Sequence, residues 1–145
     1  MDPIKFFVPG KPQGKARARV FYDERIGKFN ACTPKKTVCY EDSIRTYCRL
    51  NNRGHPIRFP DDIPLTLYIT ALFKPPNSTS KKKKALMLEG NILPTKKPDI
   101  DNIVKSVADA LNHVVYKDDT QIVKVIVEKY YAEEEGLQVA IEEYK

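Results

Sequence analysis

A chain of 145 residues with a formal charge of +6 holds one domain with one substantial core and excludes two full-sized ones. Hydrophobic residues make up 41% and charged residues 30%, close to globular values, and the basic balance favours acidic partners. No apolar run approaches the roughly 20 residues of a bilayer span, and Met1-Asp2-Pro3-Ile4-Lys5 lacks the basic start and sustained apolar run of a secretory signal; a soluble, cytoplasmic protein without a membrane is expected.

In chain order, Ile4 to Val8 reads as a short strand closed by Pro9-Gly10. Lys11 to Lys15 is a loop whose glycine and proline do not make a phosphate-binding loop, because no G-K-[ST] follows. Arg19 to Asp23 and Lys28 to Ala31 form a hairpin around Ile26-Gly27. Thr33 caps a helix with Pro34 at its first position. The helix runs to about Leu50, with Val38, Ile44 or Tyr47-Cys48, and Leu50 spaced toward a core. Asn51 to Pro60 is turn-rich. The cysteines, Cys32, Cys39 and Cys48, have no C-x-x-C spacing, so they are read as free thiols in a reducing compartment rather than as a zinc site.

Leu65 to Phe73 is a half-buried strand with Leu65, Leu67, Ile69, Ala71 and Phe73 on one face. Pro75-Pro76-Asn77 ends it. Ser78 or Ser80 caps a short basic helix through about Glu89, which Gly90 terminates. Thr95 to Pro98 is extended, because the residue before a proline is biased away from helix. Ile103, Val104, Val107, Ala108, Leu111, Val114 and Val115 mark the buried side of a helix from about Asp101 to His113. Ile122 to Tyr130 and Leu137 to Ile141 are strands separated by Gly136, and they suggest an antiparallel C-terminal hairpin. The expected fold is a single mixed α/β (α+β) domain over residues 1–145, with helices packed against one mixed sheet.

The positive charge is concentrated. Seven lysines between Lys74 and Lys97 stand against one acid, Glu89, so this stretch carries the whole net charge. Lys81 to Lys84 read either as a solvated helix start or as a nucleic-acid contact. Their place just before an acidic motif favours the contact.

That motif is Lys97-Pro98-Asp99-Ile100-Asp101-Asn102-Ile103-Val104-Lys105, completed by Lys117-Asp118-Asp119. Two carboxylates at i and i+2 diverge inside a helix but share a side in extended chain. Pro98 supplies the extended approach, and the helix start favours negative charge. One turn on, Lys105 can steady the carboxylates, contact a phosphate or protonate a leaving oxygen; the first two roles need no unusual pKa. Asp109, a further turn on, reads as the next surface partner of Lys105. Asp118 or Asp119 folds back to the same place if helix and strand pack together. Three converging carboxylates offer the hard oxygen ligands that Mg²⁺ takes. The competing reading of these residues is that Asp99 or Asp101 merely caps a helix and Asp118-Asp119 makes a turn. His55 and His113 are read as structural or surface residues.

At these residues the chain closely resembles the RusA family of Holliday junction resolvases (crossover junction endodeoxyribonucleases), its phage and prophage members above all. Asp109-Ala110-Leu111-Asn112 and Tyr116-Lys117-Asp118-Asp119-Thr120-Gln121-Ile122-Val123 carry it further. Pro9-Gly10-Lys11-Pro12, Lys15-Ala16-Arg17, Thr33-Pro34-Lys35-Lys36-Thr37 and Ser80-Lys81-Lys82-Lys83 extend it over nearly the whole chain.

The resemblance implies a homodimeric, Mg²⁺-dependent endonuclease, with Mn²⁺ as a substitute, that nicks opposing strands of four-way junction DNA in a bacterial cell. Asp99, Asp101 and Asp119 take the metal-binding positions and Lys105 that of the essential lysine. The interval from Asp101 to Asp119 is one residue shorter than in the best-known member, which leaves Asp118 as the alternative to Asp119. Basic surface for phosphates falls at Lys15, Arg17, Arg19, Lys35, Lys36, Lys81, Lys82, Lys83, Lys84 and Lys97. Tyr22, Phe29 and Phe73 are assigned to core or hairpin packing rather than base stacking. Two other readings compete: a less selective metal-dependent nuclease, and a catalytically inactive junction-binding protein. The intact acidic set speaks against the latter, because acids facing DNA without a metal weaken association.

Overall fold

Leu65–Phe73 (β4) is the chain's most uniformly buried strand, and the fold is organised around it. The computed structural model describes residues 1–16, 19–32 and 34–145, without the side chains of Arg19 and Cys32. The Thr33 cap and Arg17 expected from sequence lie outside the described residues, as does the Arg19 side chain.

Ile4–Pro9 (β1), β4, Ile122–Tyr131 (β5) and Gly136–Glu143 (β6) form a mixed sheet in the order β1-β6-β4-β5. β4 runs parallel to β5 and antiparallel to β6, which also pairs antiparallel with β1. The parallel pair is joined by a crossover that carries helices Lys81–Leu88 (α2) and Ile100–Leu111 (α3), as parallel strands require. The expected C-terminal hairpin is therefore corrected. β5 and β6 run in opposite directions, but β4 lies between them. A strand apolar on nearly all positions takes the centre, and the link after β5 crosses its end, where Ala132 N donates to Phe73 O at 2.9 Å. Gly136 opens β6 because a Cβ there would meet the Phe7 ring and stand 2.6 Å from Val8 O.

Lys35–Asn51 (α1) packs on β1 and on α3, so both helices cover one face of the sheet. Ile4, Phe6, Val8, Leu67, Ile69, Leu137, Val139 and Ile141 meet Ile44, Cys48, Ile103, Val107 and Leu111 in one core. α1 starts one residue later than expected, with Pro34 flanking the first turn. Its buried stripe is Thr37, Tyr40, Ile44 and Cys48, whereas Val38 and Leu50 are exposed. Reading apolarity alone misplaced that face, because Thr37 and Tyr40 occupy core positions. α2 is capped as expected, Ser80 Oγ accepting from Lys83 N at 3.3 Å, and Gly90 follows it in the left-handed region at φ 84°. α3 buries Ile103, Val107, Ala108 and Leu111 but stops at Leu111, short of the predicted end.

Arg19–Asp23 (β2) and Lys28–Cys32 (β3) pair with each other in a separate two-stranded ribbon. Its turn closes through Gly27 N and Ile26 N on Asp23 O, with Gly27 at φ 63°. Tyr22 and Phe29 meet edge to face at 5.4 Å, yet both remain exposed. Phe73, by contrast, is buried in the core. Among the described residues no helix is long and apolar enough to cross a membrane.

Candidate active site

The extended approach expected over Thr95 to Pro98 is corrected: the chain bends at residues 96–98 and the Lys97-Pro98 peptide bond is cis, while Asp99 itself is extended at φ −69° and ψ 153°. Its carbonyl accepts from Ile103 N at 3.0 Å, while its side chain caps nothing. Asp101 follows in the first helical turn. Both carboxylates are exposed. The reading of Asp99 as a plain helix cap does not hold, because no helical N–H takes up its side chain.

The loop after β1 lies directly across this turn. Lys15 N donates to Asn102 O at 3.1 Å, and a Cβ on Gly14 would stand 2.8 Å from the Asn102 Cβ and 3.1 Å from the Pro98 Cβ. Only a glycine lets the two backbones approach so closely. Lys11, Lys36 and Lys97 line a groove of about 550 Å³ formed here by the loop, the start of α1 and the approach to α3. Lys11 was not singled out by sequence reasoning; its place in the Pro-Gly-Lys-Pro loop was the available signal.

Lys105 is exposed one turn beyond Asp101 and pairs with no carboxylate among the described residues. The expected Lys105–Asp109 pair is corrected. Asp109 Oδ2 instead lies 3.3 Å from Lys15 Nζ, which also binds Glu41 of α1. Lys15 thus ties the loop to both helices, a structural duty in place of the free phosphate contact expected of it. Burial works against its charge, but the two carboxylates outweigh it and raise the pKa above 10.5. Lys35, Lys36, Lys97 and all four lysines Lys81 to Lys84 are exposed. Lys129, missed in the sequence, donates to Pro98 O at 3.1 Å and to Lys96 O, pinning the approach to α3 over β5.

The second acidic pair is built at the other end of α3. Asp119–Gln121 forms a single 3₁₀ turn, and Asp118 Oδ1 caps it by accepting from Thr120 N at 3.3 Å. Asn112 Oδ1 accepts from Asp119 N at 2.9 Å. Gln121 is buried and anchors the turn by donating to Pro60 O at 3.1 Å and Ile63 O at 3.2 Å, while its Oε1 accepts from Lys117 N at 3.0 Å. Buried Tyr116 adds a hydrogen bond of 2.6 Å to Ala108 O. Sequence reasoning quoted Asn112 and Gln121 within motifs but gave them no role. The neighbouring Asp119 carboxyl, then the Thr120 N–H, hold Asp118 below the usual carboxylate range. Burial, then the charges of Asp118 and Asp109, push Asp119 up.

Asp119 is therefore placed beside Asp109 and Asn112, and Asp101 precedes Asp109 by eight helical residues, about 12 Å. Among the described residues no three His, Cys, Asp or Glu side chains are grouped to hold a metal ion. The oxygen donors suit Mg²⁺ in kind, but one chain does not gather Asp99, Asp101 and Asp119 at one point. The length of α3 keeps the two halves apart.

The sequence profile of the family described as Endodeoxyribonuclease RusA matches residues 9–142. A Bacillus subtilis (strain 168) protein described as "Uncharacterized protein YqaN" is 38% identical over 145 residues, covering 99% of this chain and 98% of that protein.

Proposed function

Because the chain belongs to the RusA family of endodeoxyribonucleases, we propose that it resolves four-way DNA junctions as a homodimer, by paired nicks that depend on Mg²⁺. The observation that carries this reading is the exposed Asp99–Asp101 pair, uncapped and beside a groove lined by Lys11, Lys36 and Lys97. The lysines position a phosphate backbone next to carboxylates that have no structural employment in the helix.

The separation of Asp119 from that pair is the reason for two chains. Each active site takes Asp99 and Asp101 from one subunit and the partner subunit's Asp119, so a two-fold dimer presents two equivalent sites to a junction that itself has approximate two-fold symmetry. Asp119 is preferred to Asp118 because the Asp118 carboxylate already caps the 3₁₀ turn. Asp99, Asp101 and the partner subunit's Asp119 would hold the divalent cation, which would supply polarisation of the scissile phosphodiester and a lowered pKa of water. Lys105, free of any ion pair among the described residues, contacts the phosphate being cut.

The test is complementation on a synthetic four-way junction, with linear duplex as control. Asp101→Asn and Asp119→Asn are each inactive alone. Mixed, they form a heterodimer with one intact composite site, which nicks one strand without resolving the junction. If each protein stays inactive in the mixture while heterodimers form, the composite site is wrong. Equal cutting of linear duplex by the wild type would make the enzyme a less selective nuclease.

A further inference from the structure

We propose that the free edge of β5 is the surface through which two copies join, strand to strand and antiparallel, about a two-fold axis at Ile126. The inference rests on the two-chain reading above and supplies its interface. β5 closes the sheet on one side, and among the described residues its outer backbone groups between Val123 and Lys129 find no backbone partner. Such a row of N–H and C=O groups is a template for another strand. Val123, Val125 and Ile126 are 57%, 39% and 39% exposed on it, apolar surface left on both faces of the strand.

The register follows from charge. Lys124, Ile126 and Glu128 share one face, aligned with Thr66, Tyr68 and Thr70 of β4. With Ile126 opposite its own copy, Lys124 stands opposite the partner subunit's Glu128, and symmetry makes the pair twice. Val125 then meets the partner subunit's Val127 on the other face. Tyr130 OH already donates to Glu128 Oε2 at 2.6 Å, which leaves Oε1 for the lysine. A slip of the axis to Val125 would set Lys124 against the partner subunit's Ile126, so this register is the one that matches opposite charges.

The same pairing completes the active site. Val123 falls opposite the partner subunit's Lys129, the residue that holds Pro98 at 3.1 Å within its own chain. Asp119, just before β5, is thereby carried to the turn that bears the partner subunit's Asp99 and Asp101. Each half of the split site meets its complement, twice.

Charge reversal tests the interface on the full chain, by sedimentation equilibrium with circular dichroism to verify folding. Lys124→Glu and Glu128→Lys each oppose two like-charged pairs, so each raises the dimer dissociation constant roughly tenfold or more. Mixing the two variants restores opposite charges at both positions and returns wild-type association. Undiminished self-association of either variant, or failure of the mixture to associate, overturns the β5 interface. If the interface fails this way while Asp101→Asn and Asp119→Asn still complement, the composite site stands on another surface. A monomeric wild type that cleaves junctions overturns both.

Discussion

Lys15 Nζ stands 3.3 Å from Asp109 Oδ2 and also binds Glu41, so a single ammonium bridges two helices that the chain reaches far apart. Removing it leaves two carboxylates facing each other at the junction of α1 and α3. Lys15→Met should lower unfolding free energy by about 1–3 kcal/mol, measured by urea denaturation. Because the pKa of Lys15 is raised in the fold, its contribution is fully present below its ordinary value of 10.5 and fades as pH rises through the higher folded value. The gap between wild type and variant should be constant from pH 6 to 9, on the order of the figure above, and narrow only in stronger alkali. An unchanged stability would return Lys15 to the set of free phosphate contacts.

Asp99 and Asp101 sit at a helix start without stabilising it through a side-chain cap. Asp99→Asn and Asp101→Asn should each cut junction cleavage by about a hundredfold or more while changing stability by no more than about 0.5 kcal/mol. A large stability loss would mean that these carboxylates serve the fold.

Gln121 satisfies the Pro60 and Ile63 carbonyls and the Lys117 N–H from a buried position. Gln121→Leu strands all three groups and should cost about 2–4 kcal/mol. Cleavage should fall even at temperatures where the variant remains folded, because the Asp118–Asp119 turn loses its anchor. Junction affinity, measured by anisotropy without added metal, should stay within about twofold.

Lys81 to Lys84 are exposed on α2. Replacing all four with serine should weaken junction binding and reduce the slope of log affinity against log salt by up to about 3–4. A slope equal to wild type would mean that the run faces only water.

Burial pushes the Cys48 thiol up to about 11, against a smaller opposing effect of Arg49, whereas Cys39 is exposed. A thiol reagent at pH 8 should label Cys39 in the folded protein and reach Cys48 only in denaturant, as peptide mass mapping would reveal.

The parts legible in the sequence were those whose cause is local. Alternation marked β4, serine and glycine bracketed α2, and three-and-four spacing marked the buried side of α3. What escaped was decided by tertiary partners. Nothing local indicates that β4 separates β5 from β6, or that Thr37 and Tyr40 rather than Val38 and Leu50 face the core. The acidic motifs were visible as residue types, yet their distance depends on how Asn112 and Gln121 fasten the 3₁₀ turn. Lys15 looked like a free basic residue because its partners, Glu41 and Asp109, are remote in the chain.

β1 has one neighbour in the sheet, β6, with Ile4 aligned to Ile141. Of the four strands in this sheet β1 is made first, and it must therefore wait for β6, the last of them, before any ladder can form on it. Closure of so long a loop is slow, and in the interval Phe6 and Val8 are bare apolar bait for chaperones or for other nascent copies. Assembly of this sheet is in that sense a last-step event, sealed only when β6 threads between two strands already made.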